Sequence, residues 1–115
     1  MGGVQTEKQI QSEILDTFGR LPGLRVWRQN VGIALTPDGR RVVAFGQRGS
    51  ADVSGILNDG RRLEIEVKSA RGRQSKHQRA FQTMIEAFNG VYVLARSVDD
   101  VWAGLRDAGY YPKGD

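Results

Sequence analysis

The sequence predicts a single mixed α/β domain, in the order helix, run of strands, helix, strand, helix. Three observations carry that reading. Apolar residues recur at helical spacing at both ends of the chain, short alternating runs separated by turn residues fill the middle, and a continuous apolar pentapeptide lies between the last two helical patterns. At 115 residues the chain fits one domain and is long enough to bury a core without covalent staples. The expected layout is a flexible N-terminus over 1–5, a folded domain over 6–108 and a C-terminal tail over 109–115.

Thr6-Glu7-Lys8-Gln9 reads as a capping box, with Ile10, Ile14, Leu15 and Phe18 following on one helical face until Pro22-Gly23 ends the segment. Leu24–Asn30 reads as a strand. Ile33–Thr36 and Arg41–Phe45 read as a pair joined by the turn Pro37-Asp38-Gly39, with a loop over Gly46–Gly49. Val53–Leu57 and Arg62–Lys68 form a hairpin across Asn58-Asp59-Gly60. After a basic loop over Ala70–Gln74, Ser75-Lys76-His77-Gln78 is a second capping box. It opens a helix expected to turn Ala80, Phe81, Met84, Ile85 and Phe88 inward, with Gly90 as its C-cap. Val91–Ala95 reads as a strand buried on both faces, and Ser97 caps a final helix bearing Val101, Trp102 and Leu105. The segment after Gly109 carries little signal.

Composition narrows the chemistry. The hydrophobic content of 39% and charged content of 26% are those of an ordinary globular domain, and the net charge of +4 is compatible with a polyanionic partner. Arginine outnumbers lysine, which suits bidentate phosphate contacts. With no cysteine, disulfides and thiolate metal sites are excluded, and a single histidine, His77, excludes a multi-histidine zinc site within one chain. Any metal would be a hard cation held by oxygen. No apolar run approaches the roughly 20 residues that span a bilayer, no signal peptide is visible, and a cytoplasmic protein without a membrane partner is expected. The opening Met1-Gly2-Gly3-Val4-Gln5-Thr6 fits the loose myristoylation pattern, but Thr6 is better used as a helix cap.

The most informative residues are Asp52, Glu66 and Lys68. In Leu63-Glu64-Ile65-Glu66-Val67-Lys68 the apolar residues fall on one strand face and the charged ones on the other. Hairpin register decides whether Asp52 meets them, since a slip of one residue reverses every side chain. A two-residue turn at Asp59-Gly60 would set Asp52 opposite Val67, facing away from Glu66. A three-residue loop over Asn58-Asp59-Gly60 sets Asp52 opposite Glu66 and Val53 opposite Ile65, and groups the apolar residues of both strands. Gly60 supplies the left-handed position such a loop requires, so the second register is expected. Paired carboxylates repel unless a cation sits between them, and a divalent metal supplies that charge and can activate a water. Lys68 shares the face and could orient or deprotonate that water. Glu64 shares it too, but lies further along as a weaker ligand candidate.

These residues resemble the PD-(D/E)XK nuclease superfamily, with Asp52 as the first acid and Glu66-Val67-Lys68 as the E-x-K element. Their context is an early helix with Glu7, a Gly49-Ser50-Ala51-Asp52 strand start, a hairpin to Glu-Val-Lys, and Ser75 to Gln78 opening the next helix. Together these are similar to the VRR-NUC family, the virus-type replication-repair nucleases, over about Glu7 to Leu105. The short chain resembles the stand-alone, phage-type members. The resemblance implies an αβββαβ restriction-endonuclease-like core and hydrolysis of DNA phosphodiesters with Mg²⁺ or Mn²⁺. Asp52, Glu66 and the Val67 carbonyl would be metal ligands, Lys68 would be catalytic, Glu7 would complete the acid set, and Gln78 would pack beside the lysine. Glu13, the other acid of the first helix between Glu7 and Leu15, ranks below Glu7. A homodimer cutting Holliday-junction or other branched DNA is implied, in the cytoplasm of a bacterial or phage-infected cell. The chain departs from the superfamily label in lacking proline before Asp52.

Each residue also has a plainer reading. Asp52 alone is a common strand-start aspartate, and Glu64, Glu66 and Lys68 alone could be a solvated strand face. Gln78 could serve only as the cap partner of Ser75, and Glu7 only as a first-turn acid favoured by the helix dipole. Arg71, Arg73, Lys76 and Arg79, with Arg48, form either a solvated basic loop or a phosphate clamp beside the site. His77 suits the surface or a DNA contact, and Trp27 and Trp102 suit the core or an interface. A nuclease of other selectivity, a non-catalytic DNA-binding module and a small interaction protein stand beside the junction nuclease as alternatives.

Overall fold

A computed structural model describes residues 4–29, 32–45 and 48–112. The elements are α1 (Glu7–Phe18), β1 (Leu24–Arg28), β2 (Gly32–Leu35), β3 (Val42–Phe45), β4 (Val53–Leu57), β5 (Arg62–Val67), α2 (Lys76–Ala87), β6 (Val91–Ala95) and α3 (Val98–Asp107). A four-stranded mixed sheet runs β1-β4-β5-β6, and β2 with β3 makes a separate two-stranded ribbon. β1, β4 and β5 are antiparallel neighbours, and β6 lies parallel to β5 after the α2 crossover. Removing the inserted ribbon and the added α3 leaves α1-β1-β4-β5-α2-β6, an αβββαβ core.

The β4–β5 register is the one predicted from the three-residue loop. Val53 pairs with Ile65 and Gly55 with Leu63. The Leu57 N–H donates to the Arg61 carbonyl at 2.9 Å, and Gly60 takes the left-handed conformation at φ 92°. Alternation then sends Val53, Leu57, Leu63, Ile65 and Val67 to one sheet face. There they pack with Ile10, Ile14 and Phe18 of α1 and Val101 and Leu105 of α3 in the main core. Trp102 closes the edge of this core with its ring 4.8 Å from that of Phe18, a tilted pairing. Tyr110 is also buried, and its hydroxyl donates to the Pro22 carbonyl at 2.6 Å, so the packed unit continues past Gly109.

The opposite sheet face carries Ser54, Glu64 and Glu66 and is covered by α2, whose Phe81 and Ile85 bury against Ala51. Because α2 lies on a polar strip, its apolar face is narrow. Ala80 is exposed and Phe88 is 83% exposed, contrary to the inward placement its spacing suggests. The helix also stops two residues earlier than expected. Phe88 is the C-cap, Asn89 takes the left-handed position at φ 67°, and the Gly90 N–H closes the motif on the Ile85 carbonyl at 2.8 Å. β6 is an outer strand, so Val93 and Ala95 are buried while Val91, Tyr92 and Leu94 stay partly exposed. β1 ends at Arg28, short of the predicted Asn30, which lies outside the described residues, as do Gly46 and Gln47 of the predicted loop and the ends 1–3 and 113–115. No helix among the described residues is long and apolar enough to cross a membrane.

Candidate active site

The site forms at one end of the sheet, where the start of β4, the end of β5 and the first turns of α1 and α2 meet. Asp52 stands just before β4, and its Oδ2 accepts from the Val67 N–H at 2.8 Å. In an extended strand a residue's N–H and carbonyl point to the same edge, so the Val67 carbonyl also faces the Asp52 side. Asp52 is itself held by its backbone, as its carbonyl accepts from the Gln29 N–H at 2.9 Å and from Gln11 Nε2 at 3.3 Å. Gln11 lies one helical turn after Glu7, so both reach the same corner.

Glu66 is only 2% exposed, and Glu64 is fully buried, so the charged face of β5 is not solvated. The two carboxylates differ in what they meet. Glu64 accepts from the Ser54 hydroxyl at 2.8 Å and from Arg62 Nε at 2.5 Å, so both of its oxygens are occupied. Glu66 Oε2 accepts from Gln78 Nε2 at 2.7 Å and has Lys68 Nζ at 3.7 Å; its Oε1 is buried and finds no donor among the described residues, and only a proton shared with the Asp52 carboxyl links the two acids. A buried carboxylate oxygen without a donor is costly, and it is the expected state of a ligand position.

Electrostatics sharpen the difference. Burial, with the Asp52 charge next and Glu7 adding to it, pushes Glu66 from the ordinary 4.5 up to about 8, against the pull of Lys68. Burial also raises Asp52, opposed by the Val67 N–H and reinforced by Glu7. Among the described residues, three acids thus share one corner with a single ammonium. Among the described residues no three acids form a ready-made metal cage. The oxygens are instead held partly by backbone donors, Asp52 by Val67 N–H and Glu7 Oε2 by the Ser69 N–H at 3.3 Å. The donor set, all oxygen with one oxygen unpartnered, fits a hard divalent cation.

The two capping boxes place the flanking residues. Gln78 Oε1 accepts from the Ser75 N–H at 2.8 Å while its Nε2 reaches Glu66, so it caps the helix and holds Glu66 at once. Thr6 and Gln9 form the same reciprocal cap on α1 and fix Glu7 at its first position. Glu13 points elsewhere, accepting from Gln5 Nε2 at 2.9 Å. Lys76 and Arg79 are exposed on the first turns of α2, as is His77. Arg71 and Arg73 line a groove around Gly72, and Arg48 sits on the loop that meets α2. Trp27 is 44% exposed on outer strand β1.

Gly49, which joins that loop to Asp52, carries more weight than its sequence position reveals. Its φ is +80°, and a Cβ there would lie 2.3 Å from the His77 carbonyl oxygen. Gly49→Ala is expected to destabilise the fold by about 2 kcal/mol or more, combining left-handed strain with the clash. Urea unfolding reads this as a lowered midpoint at unchanged slope, and an unchanged midpoint would show that the loop can move away freely.

Arg96 is the other residue the sequence leaves unannounced. Parallel pairing of Val67 with Ala95 sets Arg96 level with Lys68, and its Nη1 donates to the Ser69 carbonyl at 2.5 Å and the Gly72 carbonyl at 2.8 Å. The only sequence signal was a basic residue between an apolar strand and a helix cap, which becomes meaningful once the parallel register is known. No family model matches the chain, and no curated protein matches it by sequence.

Proposed function

We propose that the chain is a metal-dependent DNA endonuclease of the VRR-NUC type, selective for branched or Holliday-junction DNA and acting as a homodimer. The observation that carries the reading is the junction of Asp52, Glu66 and Lys68 around one buried, unpartnered carboxylate oxygen. Structural ion pairs rarely leave such an atom, and two carboxyl groups held together in a buried corner, one of them pushed far up, are what a site awaiting a cation requires.

Asp52, Glu66 and the Val67 carbonyl would hold Mg²⁺ or Mn²⁺, with Glu7 alongside. The metal would supply charge neutralisation and a water of lowered pKa. The chain's own residues do the rest. Gln78 fixes the rotamer of Glu66 through its amide, so the carboxylate keeps Oε1 toward the site. The Val67 N–H does the same for Asp52. Lys68, with a side chain only 13% exposed, is held close to Glu66 at a position suited to hold or take a proton from the attacking water, or to offset charge on the phosphate. The surrounding arginines and Lys76 supply the positive field that draws a polyanion. A phosphodiester substrate accounts for both halves of the arrangement, the acids that need a cation and the basic rim that needs an anion. Such an enzyme would work in the cytoplasm of a bacterium or phage-infected host.

The deciding experiment is cleavage of labelled four-way junction, duplex and single-stranded DNA with Mg²⁺, Mn²⁺ or EDTA. Metal-dependent cutting with junction preference is the expected result. Equal cutting of all three substrates would remove the junction selectivity, and binding with no metal-dependent cutting would reduce the chain to a DNA-binding module.

A further inference from the structure

Next to the acids, an open groove of about 670 Å³ is lined by Ala70, Arg71, Gly72, Arg73, Gln74, Leu94 and Arg96. Three guanidinium groups share it. The ion pairs among the described residues are Arg61–Asp59, Arg62–Glu64 and Lys68–Glu66, so none of the three has a carboxylate partner. Arginine usually occupies a concave surface with an acid beside it or an anion to come, because like charges gathered without compensation repel.

The three are not equivalent. Arg71 and Arg73 are exposed on the loop. Arg96 is fixed at its root and its head. It follows β6 directly, its N–H donates to Asp100 Oδ2 at 2.8 Å, and its Nη1 is spent on the Ser69 and Gly72 carbonyls. That grip holds the turn closed by the Gly72 N–H on the Ser69 carbonyl at 3.1 Å. The turn packs over the site, since a Cβ on Gly72 would stand 3.3 Å from Lys68 Cδ and 3.4 Å from Glu7 Oε2. A guanidinium has five N–H donors in a rigid fork, and two carbonyls on one nitrogen leave the other nitrogens for a ligand.

We propose that Arg96 is the fixed member of a phosphate seat, completed by Arg71 and Arg73, that takes a phosphodiester flanking the scissile one. This rests on the nuclease reading, and it adds a substrate contact to that site. The ligand class is the nucleic-acid backbone, because three guanidinium groups and the Gln74 amide face the groove while its apolar part, Ala70 and Leu94, holds no aromatic ring on which a base could stack. The side chain would bind one phosphate oxygen while its grip on the turn keeps Lys68 in register, so one residue couples strand position to the catalytic lysine.

The test scans the cleaved strand with single neutral methylphosphonates on either side of the cut, using wild type, Arg96→Ala, Arg96→Lys and the double variant Arg71→Ala/Arg73→Ala. Binding is measured in Asp52→Asn backgrounds, so that it is read apart from cleavage. At one flanking position the neutral linkage should weaken wild-type binding about tenfold and have almost no further effect in Arg96→Ala, the signature of a shared contact. Arg96→Ala should flatten the salt slope by about one unit, and Arg96→Lys should restore the slope. Thermal melting identifies variants that fail to fold, and in that event the same non-additivity is sought with Arg71→Ala/Arg73→Ala. Additive effects at every position, with cleavage intact, would overturn the seat and leave the nuclease. Coupling in binding without metal-dependent cleavage would keep the seat and overturn the nuclease. Absence of DNA binding would overturn both.

Discussion

Replacing Lys68 with alanine is expected to lower metal-dependent DNA cleavage by about 10²–10⁴-fold while changing DNA affinity little. The asymmetry follows from where the charges sit. Lys68 is the one ammonium in contact with the acid pair, 3.7 Å from Glu66 Oε2, and its side chain is mostly buried. It would contribute little to the long-range field proposed to draw DNA, which the exposed Arg48, Arg71, Arg73, Lys76 and Arg79 would supply. On the nuclease reading, removing it would take away the proton-transfer or charge-stabilising group, along with the ammonium that offsets Asp52 and Glu66. Lys68→Arg should not rescue the rate, since guanidinium keeps its proton and has a different shape. Single-turnover cleavage of a labelled junction beside a binding titration separates the two effects. An alanine variant that keeps more than about a tenth of the wild-type rate would make Lys68 only a counter-ion of Glu66.

The parts of the fold that depend on chain-local rules were readable in advance. Thr6 and Gln9, like Ser75 and Gln78, announce their helices because a cap needs only residues three apart, and both boxes are present. The meeting of Asp52 and Glu66 was also readable, because a hairpin's register is set by its loop and by two adjacent strands, and both lay in one short stretch of sequence. What was not readable depends on distant packing. The depth of Phe88 cannot be told from helical spacing, which gives the direction of a side chain and not the extent of the surface it meets. Here that surface ends at Ile85 and the helix breaks at Asn89. Glu64 was a weaker ligand candidate in sequence; its ion pair with Arg62, two residues away on the same strand face, is local, but the Ser54 hydroxyl that occupies its other oxygen appears only when β4 and β5 are paired. Arg96 needed the parallel placement of β6 beside β5, a long-range choice that no residue near it declares. Gln78 marks the boundary between the two cases. Its cap was evident locally, and its bond to Glu66 required α2 to lie on that strand.

That bond leads to the second large effect, on Glu66 itself. Glu66 is pushed from 4.5 to about 8 in the folded protein, first by burial and then by Asp52. A raised carboxyl favours the fold while it is protonated, so its contribution is full below the unfolded value and is lost as pH rises through the folded one. Without metal, the protein should therefore be most stable on the acid side of that interval and should weaken from about pH 5 to about pH 9. The expected loss is on the order of 2 kcal/mol once the sharing of the shift with Asp52 and solvent screening are allowed for. The raised Asp52 acts with the same sign. Millimolar Mg²⁺ or Mn²⁺ should reverse the loss, because a cation binds the deprotonated acids and its binding energy adds to the folded state, with proton uptake on metal removal. Glu66→Gln tests the assignment directly. The amide oxygen can still accept from Gln78, so the packing survives while the charge does not. This variant should be more stable than wild type at pH 9 in EDTA, should show a flatter pH profile, and should gain little from added metal. Melting curves across pH with EDTA and with metal provide the comparison. A wild-type profile already flat from pH 5 to 9, matched by the variant, would mean that Glu66 is ionised throughout and that its unpartnered oxygen is satisfied in some other way.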